Sequence, residues 1–557
     1  MTAHPLNFDI VPFRIRIGVT GHRTLPETAL LAAAVEEILT ARYREAFTPE
    51  ARHALDRATA TPVAFTVISP LAEGADRLVA GAVLEHGGLL EALLPMPQEE
   101  YGKDFYTTES RRDFEDLLFH AHRTSVTDSG ATPGEADYRR KAYRRVGEET
   151  VERCDILIAL WDGKEPDSSC GTGSIVGVAL EKKKPVFILS TTQPGSIELI
   201  NGAILPADFI AELNRFNAFR ISSEELNAYG MNQYSDFFRP PLADQIPTSL
   251  KQLVRERLIP SYCRASLITK KNQVRYFSTG KRAYMFSTLS VAFMAGAIVF
   301  NKLPILSLPG YIIELALLIT LYVMIHRAVH DRVHHQWLEH RVLSERLRMA
   351  FFFVTCGETP LPIAKVKSIH HRNRSWVDLA YSEILCSLPE LARPATPSLT
   401  VYGTFIRNGW LVSQLNYHKE KVQTAAVKNR LLKKWGMGCF GLAIAVSVIH
   451  HLFAIGEVAG CHVEGAALLV EELLSVIAVT LPAAGAAVNG YRSILEQSRI
   501  ASRSAGMAHH LERMMNRTLP EDRAGFRHYL ERIEELMLIE SHDWLALMEH
   551  AELENIA

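Results

Sequence analysis

The residues best suited to chemistry lie in short polar segments that follow apolar stretches near the start of the chain. These segments are GHR at 21–23, PLAEGADR at 70–77, WDGK at 161–164 and GTGS at 171–174. In the last of them, Gly171, Thr172 and Gly173 combine close backbone approach, a hydroxyl and a helix start, which together suit a phosphate group. No Gly-Lys-Ser/Thr follows, so the segment is not a P-loop. We therefore predict a phosphate-binding turn, with a plain helix start as the alternative.

The apolar stretches before these segments are typical of buried strands. We predict strands at 14–20, 63–69, 90–94, 155–160 and 186–190, with helical patterns between them. Strands that alternate with helices form a doubly wound parallel sheet, whose ligands lie across the carboxyl ends of the strands. The predicted fold class is therefore α/β and Rossmann-like for the N-terminal domain, followed by an all-α region.

The order of GVTGHR, SPLAEGADRLVA and DILIALWDG with a GTG-initiated helix resembles the SLOG superfamily over about residues 14–190. That superfamily has a Rossmannoid nucleotide-binding fold and is related to the LOG phosphoribohydrolases and to the sensor of TRPM-type channels. The resemblance implies a nucleotide-like ligand held by glycine turns and neighbouring polar groups. The implied ligand-binding residues are Gly21, His22, Arg23, Ser69, Glu73, Gly74, Ala75, Asp76, Trp161, Asp162, Gly171, Thr172, Gly173 and Ser174.

One position departs from the hydrolase branch of that superfamily. The hydrolases carry a catalytic glutamate shortly after the Gly-Thr turn, whereas this chain has Gly173 and Ser174 followed by isoleucine. The departure favours sensing over hydrolysis, so no catalytic residue is assigned. Glu73 or Asp76 acting on a ribose C1′ remains the catalytic alternative. For His22 and Arg23 the alternative is a helix cap and a surface ion pair.

Four apolar stretches in the second half of the chain approach the length that crosses a bilayer. They span about 283–300, 310–325, 435–455 and 468–488, and they pair into two hairpins. Lysines and arginines flank the hairpins, while the connections within the hairpins carry few, so the positive-inside rule predicts cytosolic termini. Buried hairpins of a soluble protein are the alternative.

The two hairpins have similar surroundings, since a polar helical segment precedes each and a charged one follows. The repetition suggests a duplicated two-span module, and the layout resembles SLATT-type effector modules, which accompany SLOG domains in bacterial conflict systems. The expected domains are 1–198 for nucleotide binding, 199–262 as a helical connector, 263–430 with the first hairpin and 431–557 with the second.

Acidic residues lie within the apolar stretches that end the two hairpins. Glu314 follows the start of the second stretch, and Glu471 and Glu472 follow the start of the fourth. Carboxylates at membrane depth are costly unless they face water or a bundle interior, so these are candidates for a pore mouth. A position at the outer interface beside a helix N-terminus is the alternative.

The amino-acid composition limits the kinds of binding partner that this chain is expected to have. A net charge of −2 gives no reason to expect nucleic acid as a partner, and seven scattered cysteines and adjacent histidine pairs indicate no metal site. The N-terminus lacks the pattern of a secretory signal peptide. An amphipathic, acid-rich C-terminal segment favours packing between helices or protomers, so we expect a homo-oligomer.

Together with the resemblance, these features predict a multi-pass protein of the inner cell membrane that senses a nucleotide second messenger. The ligand expected is a cyclic nucleotide or a derivative of ADP-ribose or NAD, and the output is the gating or assembly of a pore in antiphage defence. Two alternatives stay open: a membrane-anchored nucleotide N-glycosidase or phosphoribohydrolase, and a nucleotide-regulated housekeeping ion channel.

Overall fold

The structure is a computed structural model, and it describes residues 10–128, 130, 137–164, 171–239, 241, 243–360, 376–388, 398–458 and 465–549. Contacts divide the chain into two compact units. Of the described residues, those within Phe8–Arg220 and Asn373–Leu391 form the α/β unit, and those within Ile221–Arg372 and Ala392–Ala557 form the helical unit. The α/β unit therefore contains residues 199–220, which we expected in a connector, and a segment that lies between the two hairpins in the sequence.

A seven-stranded sheet forms the centre of the α/β unit. Its strands are β1 (Phe13–Gly21), β2 (Val63–Ser69), β3 (Leu89–Leu94), β4 (Arg123–Val126), β5 (Ile156–Trp161), β6 (Val186–Ser190) and β7 (Ile197–Ile200). The spatial order is β4-β3-β2-β1-β5-β6-β7, and only the pairing of β6 with β7 is antiparallel among these. The predicted α/β fold with a mainly parallel sheet is confirmed.

Helices connect the parallel strands. They are α1 (Thr28–Thr40), α2 (Pro49–Arg57), α3 (Ala75–Glu85), α4 (Gln98–Tyr101), α5 (Thr108–Phe119), α6 (Tyr138–Arg153), α7 (Thr172–Glu181) and α8 (Ile210–Ala218). The central strand β5 is buried except at its last residue, as expected for a strand whose two faces are both covered. Ile175 and Val176 of α7 pack with Leu157 and Ala159 in one core cluster.

The strand order reverses between β1 and β5. From β1 the chain builds outward through β2, β3 and β4, and it then returns to the other side of β1 for β5. The connections on either side of this point leave the sheet in opposite directions, which opens a crevice at the carboxyl ends of β1 and β5. A ligand site of this fold is therefore expected after Gly21 and after Trp161.

The helical unit follows. Its helices are α9 (Ser223–Phe237), α10 (Thr248–Leu253), α11 (Ile259–Val299), α12 (Pro304–His330), α13 (Val333–Thr355), α15 (Leu399–Phe405), α16 (Val412–Val458), α17 (Ala466–Ile494), α18 (Gln497–Met515) and α19 (Arg523–Glu549), while α14 (Trp376–Cys386) belongs to the α/β unit. Among the described residues, four helices are long and apolar enough to cross a membrane: Thr248–Val299, Pro304–Thr355, Leu399–Gly456 and Leu468–Met515. The predicted all-α region with four apolar helices is confirmed.

Small residues bring these helices close together. A Cβ on Gly310 would lie 2.9 Å from the Cβ of Ala297, and one on Gly490 would lie 2.6 Å from the ring of Tyr284. A Cβ on Gly485 would likewise lie 2.9 Å from the ring of Phe440. Such contacts are typical of membrane helices, where association depends on close van der Waals packing.

Candidate functional site

A cleft of about 480 Å³ lies at the point where the strand order reverses. Its lining includes nine of the residues predicted to bind a ligand: Gly21, His22, Arg23, Asp76, Trp161, Asp162, Gly171, Thr172 and Gly173. A cleft of this volume is in the range of small-molecule sites. Residues that are far apart in the sequence thus meet at one end of the sheet.

His22 ties the turn after β1 to the turns after β2 and β5. Its backbone N donates to Leu160 O at 3.2 Å, and its backbone O accepts from Ala75 N at 3.2 Å. On the side chain, Nε2 accepts from the backbone N of Asp162 at 3.2 Å and lies 3.3 Å from Asp162 Oδ1. His22 therefore joins three turns rather than capping a helix.

Close backbone packing explains two of the glycines. Gly74 has φ +76°, and a Cβ there would lie 2.3 Å from Arg23 O. A Cβ on Gly21 would lie 2.4 Å from the Cβ of Ala75. Both glycines therefore allow the turn after β1 and the start of α3 to touch, which sets the position of His22 and Arg23 at the cleft.

We expect Gly74→Ala to destabilise the α/β unit by about 2 kcal/mol, because alanine is strained at this φ and its Cβ overlaps a carbonyl. Gly81→Ala is the matched control: Gly81 lies within α3 with nothing within 4 Å of the added Cβ, so this change should be neutral or slightly stabilising. Pulse proteolysis in urea on the full chain measures both. Equal stability of the two variants would contradict this account of Gly74.

Arg23 lies in a polar network at one wall of the cleft. Its Nη2 donates to Tyr143 Oη at 3.1 Å, and its Nη1 lies 4.0 Å from Glu73 Oε2. Tyr143 in turn donates to Asp104, which also pairs with Arg139. The side chain of Arg23 remains 43% exposed, so its guanidinium is held in place and still accessible to an anion.

Asp76 is the buried carboxyl of the cleft. It is 4% exposed, and its Oδ2 accepts from Ala72 N at 3.1 Å. Burial raises the pKa of Asp76 to about 7, against the opposing effects of that hydrogen bond and of Arg23 and Arg77. The carboxyl can therefore hold or release a proton near neutral pH.

The start of α7 lies at the cleft with its first backbone N–H groups. Gly171 is the N-cap, and within the described part of the chain no side chain caps the helix, while Gly171 O accepts from the backbone N of Ser174 and of Ile175. The first N–H groups of a helix have no partner within the helix, and they favour negative charge. Across the cleft, Asp162 accepts from the backbone N of Lys164 at 3.2 Å, and this bond holds the pKa of Asp162 below its usual range.

Five predicted residues lie outside the lining of the cleft: Ser69, Glu73, Gly74, Ala75 and Ser174. Ser69 is buried and its Oγ accepts from Leu71 N at 3.0 Å, while Glu73 accepts from Ser110 Oγ. Ser69, Glu73, Gly74 and Ala75 shape the turn after β2 and the start of α3, whereas Ser174 lies in the first turn of α7. Arg77, which the prediction left out, donates to Leu71 O and to Ser110 and does not line the cleft.

The lining also contains residues that the sequence did not single out. Tyr101 comes from α4, and Tyr143, Gly147 and Thr150 come from α6. A Cβ on Gly147 would lie 2.3 Å from Ile175, so this glycine lets α6 and α7 approach. Tyr143, Gly147 and Thr150 follow a spacing of four and three, which is the spacing of one helix face and was the available signal.

The acidic residues lie at different distances from the starts of their apolar helices. Helix α12 begins at Pro304, six residues before the predicted start at 310, so Glu314 lies about 15 Å along it at 1.5 Å per residue. Glu314 accepts from Ser290 Oγ at 3.5 Å, and Ser290 is buried. Glu471 and Glu472 lie only five and six residues into α17.

No protein-family model matches the chain, and no curated protein matches it. Within the described part of the chain, no group of three or more His, Cys, Asp or Glu side chains is placed to hold a metal ion.

Proposed function

We propose that this chain is a membrane effector whose α/β unit binds a nucleotide and thereby gates or assembles a pore formed by its apolar helices. The observation that carries the proposal is the cleft at the reversal of strand order, where Arg23 and the uncapped start of α7 line the same space. This is the position and the chemistry with which doubly wound sheets hold the phosphates of nucleotides.

The lining residues support a particular orientation of the ligand. Backbone N–H groups at Thr172 and Gly173, together with Arg23, suit a phosphate. Asp162 is an acceptor that suits ribose hydroxyls, and Trp161 and Tyr143 offer aromatic surface to a base. A nucleotide with few free phosphates fits best, because Asp162 places a negative charge in the cleft and Asp76 adds a second one when it is ionised.

The chain connections support coupling between the ligand and the membrane helices. The chain passes from the α/β unit to the helical unit after Arg220. It returns to the α/β unit for Asn373–Leu391, a segment that lies between the two hairpins in the sequence. A rearrangement of the α/β unit is thus transmitted to the chain before the first hairpin and to the chain between the hairpins. Gating further requires that the ligand bind one state of the membrane helices more tightly than the other.

The remaining parts of the proposal rest on charge pattern and resemblance. The flanking basic residues favour an inner-membrane protein with cytosolic termini, and the SLOG-like and SLATT-like layout favours antiphage defence by a homo-oligomer. The bilayer itself is supported by the four apolar helices. Permeabilisation of the membrane on binding of the signal is the expected output.

The first test is a thermal-shift screen of the full chain in nanodiscs with ADP-ribose, NAD, and cyclic mono- and dinucleotides, followed by dye release from liposomes. We expect Arg23→Gln to weaken binding of the active nucleotide about tenfold, as loss of a charge-assisted hydrogen bond predicts. Arg57→Gln, on α2 and away from the cleft, is the control and should bind as the parent does. Nucleotide binding without nucleotide-dependent release would refute the effector proposal.

Asp76 favours a second candidate function, cleavage of a nucleotide N-glycosidic bond. A buried carboxyl with a pKa of about 7 is suited to donate a proton to a departing base. Chromatography of each nucleotide after incubation with the full chain would reveal a free base. If Asp76→Asn abolishes that product and retains binding, the chain is an enzyme rather than a sensor.

A further inference from the structure

A second cleft lies where the extensions of all four apolar helices meet. Its volume is about 70 Å³, and it adjoins a groove of about 330 Å³ that shares Ile500, Ser504, Glu540 and Trp544 with it. Helices α11, α13, α16 and α18 each contribute to the smaller cleft, and α19 closes it. Each of the first four helices belongs to a different candidate membrane span. A molecule bound in this cleft therefore lies beside helices that continue from all four candidate membrane spans.

Two buried nitrogens at this cleft have no hydrogen-bond partner among the described residues: Trp337 Nε1 and His418 Nδ1. Trp337 is 1% exposed and His418 is 2% exposed, and both line the cleft. Buried polar atoms in folded proteins are nearly always paired. An indole N–H can only donate, so the missing partner includes an acceptor such as an acid oxygen.

The charges around the cleft favour an anion. Arg341 and Lys421 both line it, and the Arg341 guanidinium lies 3.7 Å from the ring centroid of Trp544. Burial, with Arg348 and Arg341, lowers the pKa of His418 to about 4, so its ring is neutral at pH 7. Glu540 is the acid of the lining, and burial raises its pKa against the effect of Arg341.

Aromatic rings form the walls. Trp337 lies 5.3 Å from Trp544 and 5.2 Å from Phe277 between ring centroids, both in edge-to-face arrangements. Flat rings in such a wall pack well against another planar group. Met507 and Leu547 extend the apolar surface along the adjoining groove.

We propose that this cleft is a second ligand site, which takes a small aromatic anion with its acid group at Trp337, His418 and Arg341 and its ring in the adjoining groove. The site is separate from the nucleotide cleft, since the two share no residues. A bound molecule braces the extensions of both hairpins against each other. It therefore regulates the membrane helices independently of the α/β unit.

Naphthalene-1-sulfonate is the probe, titrated calorimetrically into the full chain in nanodiscs with empty nanodiscs as the baseline. We expect saturable binding, about tenfold weaker in Arg341→Gln and in Trp337→Phe, which keeps an aromatic ring and loses the N–H donor. Arg513→Gln, exposed on α18, is the control and should bind as the parent does. The cationic analogue 1-naphthylmethylammonium should not bind.

The proposal would be overturned if the parent chain does not bind the sulfonate, if both variants bind it as tightly as the parent does, or if the cation binds as tightly as the sulfonate. The weaker binding by Trp337→Phe counts only if circular dichroism shows that this variant keeps the helicity of the parent chain. If Trp337→Phe unfolds, Arg341→Gln still provides an independent test. Arg23→Gln should retain the sulfonate site. The outcome is thus independent of whether the α/β unit binds a nucleotide.

Discussion

Replacing Glu383 with alanine is expected to destabilise the α/β unit by about 3–5 kcal/mol, which is the cost of removing one partner from a buried ion pair. Glu383 lies on α14, and its Oε2 accepts from Arg14 Nε at 2.7 Å, with side-chain exposures of 15% for Arg14 and 8% for Glu383. Alanine would leave the guanidinium of Arg14 buried, and its remaining hydrogen bonds to described residues would be those to Phe65 O and Thr66 Oγ1. Urea unfolding of the full chain, followed by pulse proteolysis, gives the value.

A double variant tests whether the loss comes from leaving one charge of the Arg14–Glu383 pair buried without its partner. Burial raises the pKa of Glu383 and Arg14 lowers it, with burial the larger influence, so the pair does not fully offset the cost of burying its charges. Arg14→Met combined with Glu383→Leu should therefore be more stable than either single variant. Additive losses in the double variant would mean that the two side chains do not interact in the native state.

The long-range contacts of α14 also explain why the sequence alone could not assign this helix to the α/β unit. Trp376 packs at 5.7 Å from the ring of Phe216, and Arg14 and Glu383 are 369 residues apart in the chain. Contacts at such separations leave no local periodicity or spacing in the sequence. Residues 376–386 show only an apolar helical pattern, which suits the helical unit equally well.

Most of the sheet could be predicted, because its central strands are continuous apolar runs that end in polar turns. The predicted strand at 63–69 coincides with β2, and the one at 155–160 differs from β5 by one residue at each end. Strands β4 (RTSV) and β7 (IELI) were missed. Both are short and lie at or near an edge of the sheet, where one face or more is exposed and no apolar run is required.

The residues of the candidate site could be predicted where they follow strands in the sequence, but not where they lie on a helix. Turns after β1 and β5 are marked by glycines and polar residues, whereas Tyr143 and Gly147 lie within the charged sequence of α6. The second apolar stretch was predicted to begin at 310, later than the start of α12, for a related reason. Pro304 and Pro309 resemble a loop, but Pro304 stands in the first turn of α12, where a missing N–H costs no hydrogen bond.

Asp76→Asn is expected to stabilise the α/β unit by about 4 kcal/mol at pH 8, because the asparagine side chain carries no charge into the buried site. The pKa of Asp76 is about 7 in the folded chain, against an ordinary value of 3.8. The folded state therefore holds a proton that the unfolded state has lost between these two pH values. Over this window the stability of the parent chain falls as pH rises, and above about pH 7 the penalty is complete.

The pH dependence distinguishes this cause from a simple packing effect. The gain from Asp76→Asn should shrink to less than half of its pH 8 value at pH 5, since most of the penalty develops between pH 5 and pH 7. Asparagine can still accept the hydrogen bond from Ala72 N through Oδ1, so the turn before α3 stays intact. Asp208→Asn, at an exposed position of the same unit, should show no such dependence. A gain that is equal at pH 5 and pH 8 would mean that Asp76 is already charged at both, and that the cleft offers a fixed carboxylate rather than an exchangeable proton.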